Sequence, residues 1–160
     1  MNYKVLSTKI LDPESKKELN HSFYQYSEKD FIKIIPTDHY LGEIVCDSLI
    51  FTSQNAVQIF LKNSELKKYK SKKIFCVGDT TKSLLRKNKF RVENCFNDSS
   101  SLAKFITKNN KSDKFLYLCG KNRLKNIEEI LSNNNVDLIV EELYETKLLY
   151  EKVNFKKYYR

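Results

Sequence analysis

The sequence predicts an α/β fold: a parallel sheet covered by helices on both faces. Three observations carry this. Four short apolar runs each lead straight into a small-polar loop that opens a helix. These junctions are Phe51-Thr52-Ser53-Gln54-Asn55-Ala56-Val57, Cys76-Val77-Gly78-Asp79-Thr80-Thr81, Cys95-Phe96-Asn97-Asp98-Ser99-Ser100-Ser101 and Leu118-Cys119-Gly120-Lys121-Asn122-Arg123. The segments between them repeat apolar residues at helical spacing, and from residue 48 onward strands and helices alternate regularly. A helix opening in Ser, Thr, Gly or Asn presents unpaired N–H groups and the positive end of its dipole. In a parallel sheet all such openings gather along one edge, where ligands usually bind. Four of them side by side make a rim suited to an anion with several carboxylates or phosphates.

The elements follow in chain order. Tyr3–Ser7 and Phe23–Tyr26 read as strands around a short helix, roughly Pro13–Asn20, and Phe31–Pro36 as a further strand. A β-α-β unit of this size cannot cover its own sheet and must dock on something. Ser48–Thr52 is a strand, followed from about Gln54 by a helix with Ala56, Val57, Phe60 and Leu61 on one face. The stretch Lys67-Lys68-Tyr69-Lys70-Ser71-Lys72-Lys73 reads as an exposed connection. Lys73–Val77 is the next strand, Thr80–Lys89 a helix with Leu84 and Leu85 inward, and Phe90–Cys95 a weaker strand. Asp98 to Ser101 offer N-caps to a helix carrying Leu102, Phe105 and Ile106. Lys114–Cys119 is a strongly apolar strand and Arg123–Ser132 a helix with Leu124, Ile127, Ile130 and Leu131 inward. Asn133-Asn134-Asn135 stops that helix, because asparagine tolerates left-handed geometry. Val136–Tyr144 closes the series as a strand, and Glu145 to Arg160 is a tail rich in Tyr and Lys.

With 160 residues, 41% apolar and 31% charged, the chain has the composition of a soluble globular protein rather than a disordered one. Its net charge of +9 comes mainly from scattered lysines, since only Arg86, Arg91, Arg123 and Arg160 are arginines. Scatter of this kind reads first as solvated helix faces, and second as attraction to an anionic partner. No apolar stretch approaches the roughly 20 residues that span a bilayer, and the first residues lack a signal peptide's apolar core. Cys46, Cys76, Cys95 and Cys119 lie far apart, and His21 and His39 are the only histidines. Cys76 and Cys119 fall inside apolar strands and read as buried thiols in a reducing compartment, and the spacing offers no metal-ligand cluster, so a cytoplasmic, metal-free protein is expected.

The residues Leu49-Ile50-Phe51-Thr52-Ser53-Gln54-Asn55-Ala56-Val57, Val77-Gly78-Asp79-Thr80-Thr81, Leu118-Cys119-Gly120-Lys121-Asn122-Arg123 and Leu143-Tyr144-Glu145-Thr146, in this order, resemble the uroporphyrinogen-III synthase family of tetrapyrrole biosynthesis. The opening Lys4-Val5-Leu6-Ser7-Thr8-Lys9 is similar to the family's first strand, with Lys9 where many members carry arginine. The resemblance implies two flavodoxin-like domains joined by a two-stranded linker, with substrate in the cleft between them. Residues 1–29 would be the opening β-α-β of an incomplete first domain. Residues 30–145 would be a complete flavodoxin-like second domain, and 146–160 the return linker and tail. The family's returning half has no counterpart in this sequence.

The resemblance also implies a lyase that cyclises and dehydrates hydroxymethylbilane, a linear tetrapyrrole with eight carboxylates, inverting the terminal pyrrole and using no cofactor. By motif, Ser53, Gln54, Asn55, Gly78, Thr80, Thr81, Gly120, Asn122, Arg123 and Thr146 would bind substrate, Arg123 through a forked charged contact, and Tyr144 would donate the proton. Each has a plainer reading. Ser53, Thr80, Ser99 and Asp98 are N-cap types, Gly78 and Gly120 permit tight turns, and Tyr144 is a strand-end aromatic with its hydroxyl in water. Glu128-Glu129 and Glu141-Glu142 read as solvated surface. Two other functions stay open. One is a non-catalytic polyanion-binding α/β module that needs a partner, a second copy or a missing fragment, to complete its first domain. The other, ranked last, is a nucleic-acid binder using residues 67–73 and Lys156-Lys157-Tyr158-Tyr159-Arg160, without any base-stacking platform to accompany the charge.

Overall fold

A computed structural model of the chain describes residues 3–19, 24–37 and 43–149. Two compact units result, Met1–Ile34 with Thr146–Arg160, and Ile35–Glu145. Asn20, Phe23 and the tail from residue 150, including Lys156 to Arg160, lie outside the described residues.

In the first unit, β1 (Tyr3–Ser7), α1 (Pro13–Leu19) and β2 (Tyr24–Glu28) form the expected β-α-β, with β1 and β2 paired in parallel. Pro13 starts α1, where its missing N–H costs nothing. The Asp12 carboxylate accepts from the N–H groups of Glu14 (3.0 Å) and Ser15 (2.9 Å), and these bonds lower its pKa. Glu28 ties the two ends together, accepting from Leu11 N–H at 3.1 Å and pairing with Lys16.

The remaining elements are β3 (Ile32–Pro36), β4 (Ser48–Phe51), α2 (Gln54–Lys62), β5 (Lys73–Val77), α3 (Asp79–Lys87), β6 (Val92–Phe96), α4 (Ser99–Asn109), β7 (Phe115–Gly120), α5 (Asn126–Asn133) and β8 (Leu138–Leu148). Their sheet has the order β3-β8-β7-β4-β5-β6. The pairs β4–β5, β4–β7, β5–β6 and β7–β8 are parallel. Thr37 N–H donates to Leu143 C=O and Leu149 N–H to Phe31 C=O, both at 2.9 Å, an order that makes β3 an antiparallel edge on β8.

Alternation along the strands explains why both faces are apolar. Ile50, Phe75, Phe115, Tyr117 and Cys119 pack with Leu102, Ala103 and Ile106 of α4 and with Ile127 and Leu131 of α5. The intervening Leu49, Phe51, Ile74, Cys76, Leu116 and Leu118 are equally buried. On their side Phe51 meets Phe60 of α2 edge-on at 5.3 Å, and Phe60 meets Phe90 at 5.5 Å. The expected parallel α/β fold is what forms. Counting from β4, the five parallel strands run 3-2-1-4-5, so the order reverses between β4 and β7.

Helix ends show where sequence and structure part. α3 stops at Lys87 rather than Lys89 because Lys89 adopts a left-handed φ of 62°. Lys89 N–H then bonds Arg86 C=O (2.9 Å) and Phe90 N–H bonds Leu85 C=O (3.1 Å), closing the helix with Phe90 buried. Replacing Lys89 by Gly removes the side chain's steric cost there, and should raise stability by roughly 0.5–1 kcal/mol, read as a higher Tm. α5 ends as expected, with Asn135 at φ 54°. Its start differs: the helix opens at Asn126, not Arg123, and Leu124 is 79% exposed instead of inward. The lysine-rich connection is likewise not wholly exposed. Glu65–Tyr69 is a 3-10 helix with Leu66 and Tyr69 buried, and the Tyr69 hydroxyl bonds both the N–H (3.2 Å) and C=O (3.1 Å) of Ile44.

Candidate functional site

Because β4, β5, β6 and β7 are parallel neighbours, the four polar junctions at their carboxyl ends share one edge of the sheet. Ser53 caps α2, its Oγ accepting from Asn55 N–H at 3.1 Å. Gln54 is exposed, and Asn55 half-buried. Gly78 is the N-cap of α3 with φ 85°, a left-handed value that favours glycine, and its N–H bonds Phe96 C=O at 2.9 Å. Thr80 therefore does not cap α3; it is exposed inside the first turn, whereas Thr81 is buried. Asp98, not Ser99, caps α4, accepting from Ser101 N–H at 2.8 Å, which lowers its pKa. Asn122 is exposed, and Thr146 is half-buried in the part of β8 that belongs to the first unit.

The point where strand order reverses brings a subset of these residues together. Parallel register pairs Cys119 with Glu142 and then Gly120 with Tyr144, so Leu143 is an extra residue in β8. Without that bulge Tyr144 would share the face of Val140 and Glu142, towards α5. The shift turns it to the opposite face, towards α2. There the phenol of Tyr144, only 7% exposed, donates to Ser53 Oγ at 3.0 Å. It is not a surface aromatic with its hydroxyl in water. Gly120 makes room: a Cβ at that position would lie 2.6 Å from Cε2 and Cζ of the Tyr144 ring. Gly120 is thus a close-approach glycine. Lys121 N–H donates to Tyr144 C=O at 2.8 Å and fastens the two strand ends together.

On the other face Arg123 is taken up by its own chain. Its Nη1 donates to Glu142 Oε1 (2.7 Å) and Gly120 C=O (2.9 Å), and its Nε to Glu128 Oε1 (2.8 Å). The guanidinium also lies 5.9 Å from the Tyr117 ring centroid. Burial works against the Arg123 charge, yet the Glu142 and Glu128 carboxylates raise its pKa overall. The bonds to Gly120 and Lys121 carbonyls hold residues 121–125 in an irregular loop, which is why α5 starts late. Glu128 and Glu142 are therefore ion-pair partners, not solvated surface.

Sequence reasoning also missed Thr52 and Tyr117, whose hydroxyls lie 2.9 Å apart. A tyrosine in the middle of an otherwise apolar strand was the available signal, since a buried phenol needs a partner. Burial pushes the Tyr117 phenol up to about 12 and the Cys119 thiol up to about 12, so both stay protonated at neutral pH. Among the described residues no group of His, Cys, Asp and Glu is arranged to hold a metal ion, and no helix is long and apolar enough to cross a membrane.

A doubly wound parallel sheet whose polar turns meet where strand order reverses is the architecture of an α/β ligand-binding domain. The family is set by sequence: the family model described as HEM4, uroporphyrinogen-III synthase HemD, matches residues 18–158, and the chain belongs to that family. No curated protein matches the sequence. Among solved structures the fold is similar to that of uroporphyrinogen-III synthetase from Helicobacter pylori, with 20% identity and a TM-score of 0.70 over 98% of this chain and 67% of that one. A mutant uroporphyrinogen III synthase from Thermus thermophilus matches with 10% identity and a TM-score of 0.64, over 92% of this chain and 64% of that one. The wild-type Thermus thermophilus enzyme gives 12%, 0.58, 92% and 63%. This chain spans about two thirds of the length of those proteins.

Proposed function

We propose that the chain acts on hydroxymethylbilane as a cytoplasmic uroporphyrinogen-III synthase, with residues 30–145 supplying one wall of the substrate cleft. The family match over residues 18–158 carries this reading. The substrate loses its hydroxyl as water, and the resulting cation is stabilised by the pyrrole that bears it. What remains for the protein is to bend the chain so that the correct carbon attacks, and to supply a proton to the departing hydroxyl.

The rim suits both tasks. Side chains of Ser53, Gln54, Asn55, Thr80 and Asn122 would hold carboxylates without a buried cation, Gly78 would let the chain come close to the ligand as Gly120 lets Tyr144 reach Ser53, and Thr81 would support the turn from below. Tyr144 would be the proton source. Because Ser53 Oγ already accepts from both Tyr144 and Asn55 N–H, its own hydroxyl proton is left for a third partner. Ser53 would pass that proton to the leaving oxygen while Tyr144 replenishes it.

The test is direct. Purified chain is mixed with freshly prepared hydroxymethylbilane and the cyclised isomers are separated by chromatography. Predominance of the isomer with the inverted terminal ring is expected. Only the non-inverted ring, formed at the rate seen in buffer alone, would overturn the proposal.

A further inference from the structure

We propose that Arg123 is a positioning residue rather than a ligand for substrate carboxylates: paired with Glu142, it fixes the bulge at Leu143 and so aims Tyr144 at Ser53. The inference builds on the reading of Tyr144 as proton donor, but its geometric core stands apart from turnover. Three observations carry it. Arg123 Nη1 spans the two strands at the place where register slips, bonding Gly120 C=O on β7 and Glu142 Oε1 on β8. Its Nε and Nη2 both lie on the single oxygen Glu128 Oε1, at 2.8 and 2.7 Å, so α5 braces the guanidinium from behind. Its side chain is only 13% exposed, and the charge is already met by two carboxylates.

A bulge is held by what it bonds on either side. Here Glu142–Arg123 lies just before the extra residue, and the Lys121 N–H to Tyr144 C=O bond just after it. Release of the first leaves β8 free to slip back by one residue. That slip would place Leu143 opposite Gly120 and return Tyr144 to the α5 face, away from Ser53. A substrate carboxylate reaching Arg123 would have to displace Glu142, which is the contact that keeps Tyr144 in place.

Arg123→Gln, Glu142→Ala and the double variant separate the two roles. A positioning role predicts that each single change lowers kcat by on the order of 10–100-fold with KM little altered, the double change being no worse than either alone. A ligand role predicts a raised KM for Arg123→Gln only, with Glu142→Ala freeing the arginine for substrate; that outcome would overturn the proposal. A second readout needs no turnover. In protein labelled with 13C at tyrosine Cζ, the Tyr144 resonance, assigned by its loss in Tyr144→Phe, should move in both single variants. An unmoved Tyr144 signal in Glu142→Ala overturns the proposal even if the chain proves inactive. Glu142, with its side chain 40% exposed, is the safer of the two to replace should Arg123→Gln not fold.

Discussion

Gly120→Ala should destabilise the protein by about 1–3 kcal/mol and lower any cyclase rate by on the order of 10²-fold. The added methyl carbon would sit 2.6 Å from two ring carbons of Tyr144 and 2.9 Å from its hydroxyl oxygen, distances at which something has to move. Backbone strain is not the cause, because Gly120, unlike Gly78, does not adopt a positive φ. The ring has little room to yield, since it is almost wholly buried, and Lys121 N–H fixes the Tyr144 carbonyl. The movement should therefore be paid in the Tyr144–Ser53 bond. Thermal unfolding of Gly120→Ala, Tyr144→Ala and the double variant tests this as a cycle. In the Tyr144→Ala background the alanine at 120 meets no ring and its cost should largely vanish. Equal cost in both backgrounds would place the strain elsewhere.

The parallel sheet and its polar edge were legible because they rest on local signals. Continuous apolar runs such as Phe115–Gly120 mark strands buried on both faces, and Asp98, Ser53 and Asn135 are residue types with a local reason to stand at helix ends. The site was only partly legible because its geometry depends on register. Period-two alternation puts Tyr144 on the same face as Glu142, and no local feature of Glu142-Leu143-Tyr144 announces the extra residue that reverses it. Arg123 was misplaced for a related reason. Leu124, Ile127 and Leu131 have helical spacing, so the pattern extends α5 back to residue 123, but three side-chain bonds of the arginine outweigh one turn of helix. The pairs Glu128-Glu129 and Glu141-Glu142 carry no sign that Arg123, in the loop just before α5, will lie between Glu128 and Glu142.

Tyr144→Phe should slow formation of the inverted isomer by on the order of 10²–10⁴-fold while changing stability by no more than about 1 kcal/mol. The separation of the two effects follows from where the atoms lie. Phenylalanine keeps the ring that packs against Gly120 and the backbone bond to Lys121, so the fold at the bulge is retained. What disappears is one donor, the hydroxyl 3.0 Å from Ser53 Oγ. Ser53 still caps α2 through Asn55 N–H, so the helix keeps its start. The loss should therefore appear in kcat rather than KM, because a proton delivered to a departing oxygen matters in the transition state and not in substrate binding. Single-turnover rates and unfolding curves for the two proteins measure both quantities. An unchanged rate would remove Tyr144 from the chemistry and leave its bond to Ser53 as a structural contact; a rate loss with a matching loss of stability would mean that the hydroxyl holds the fold rather than serving the reaction.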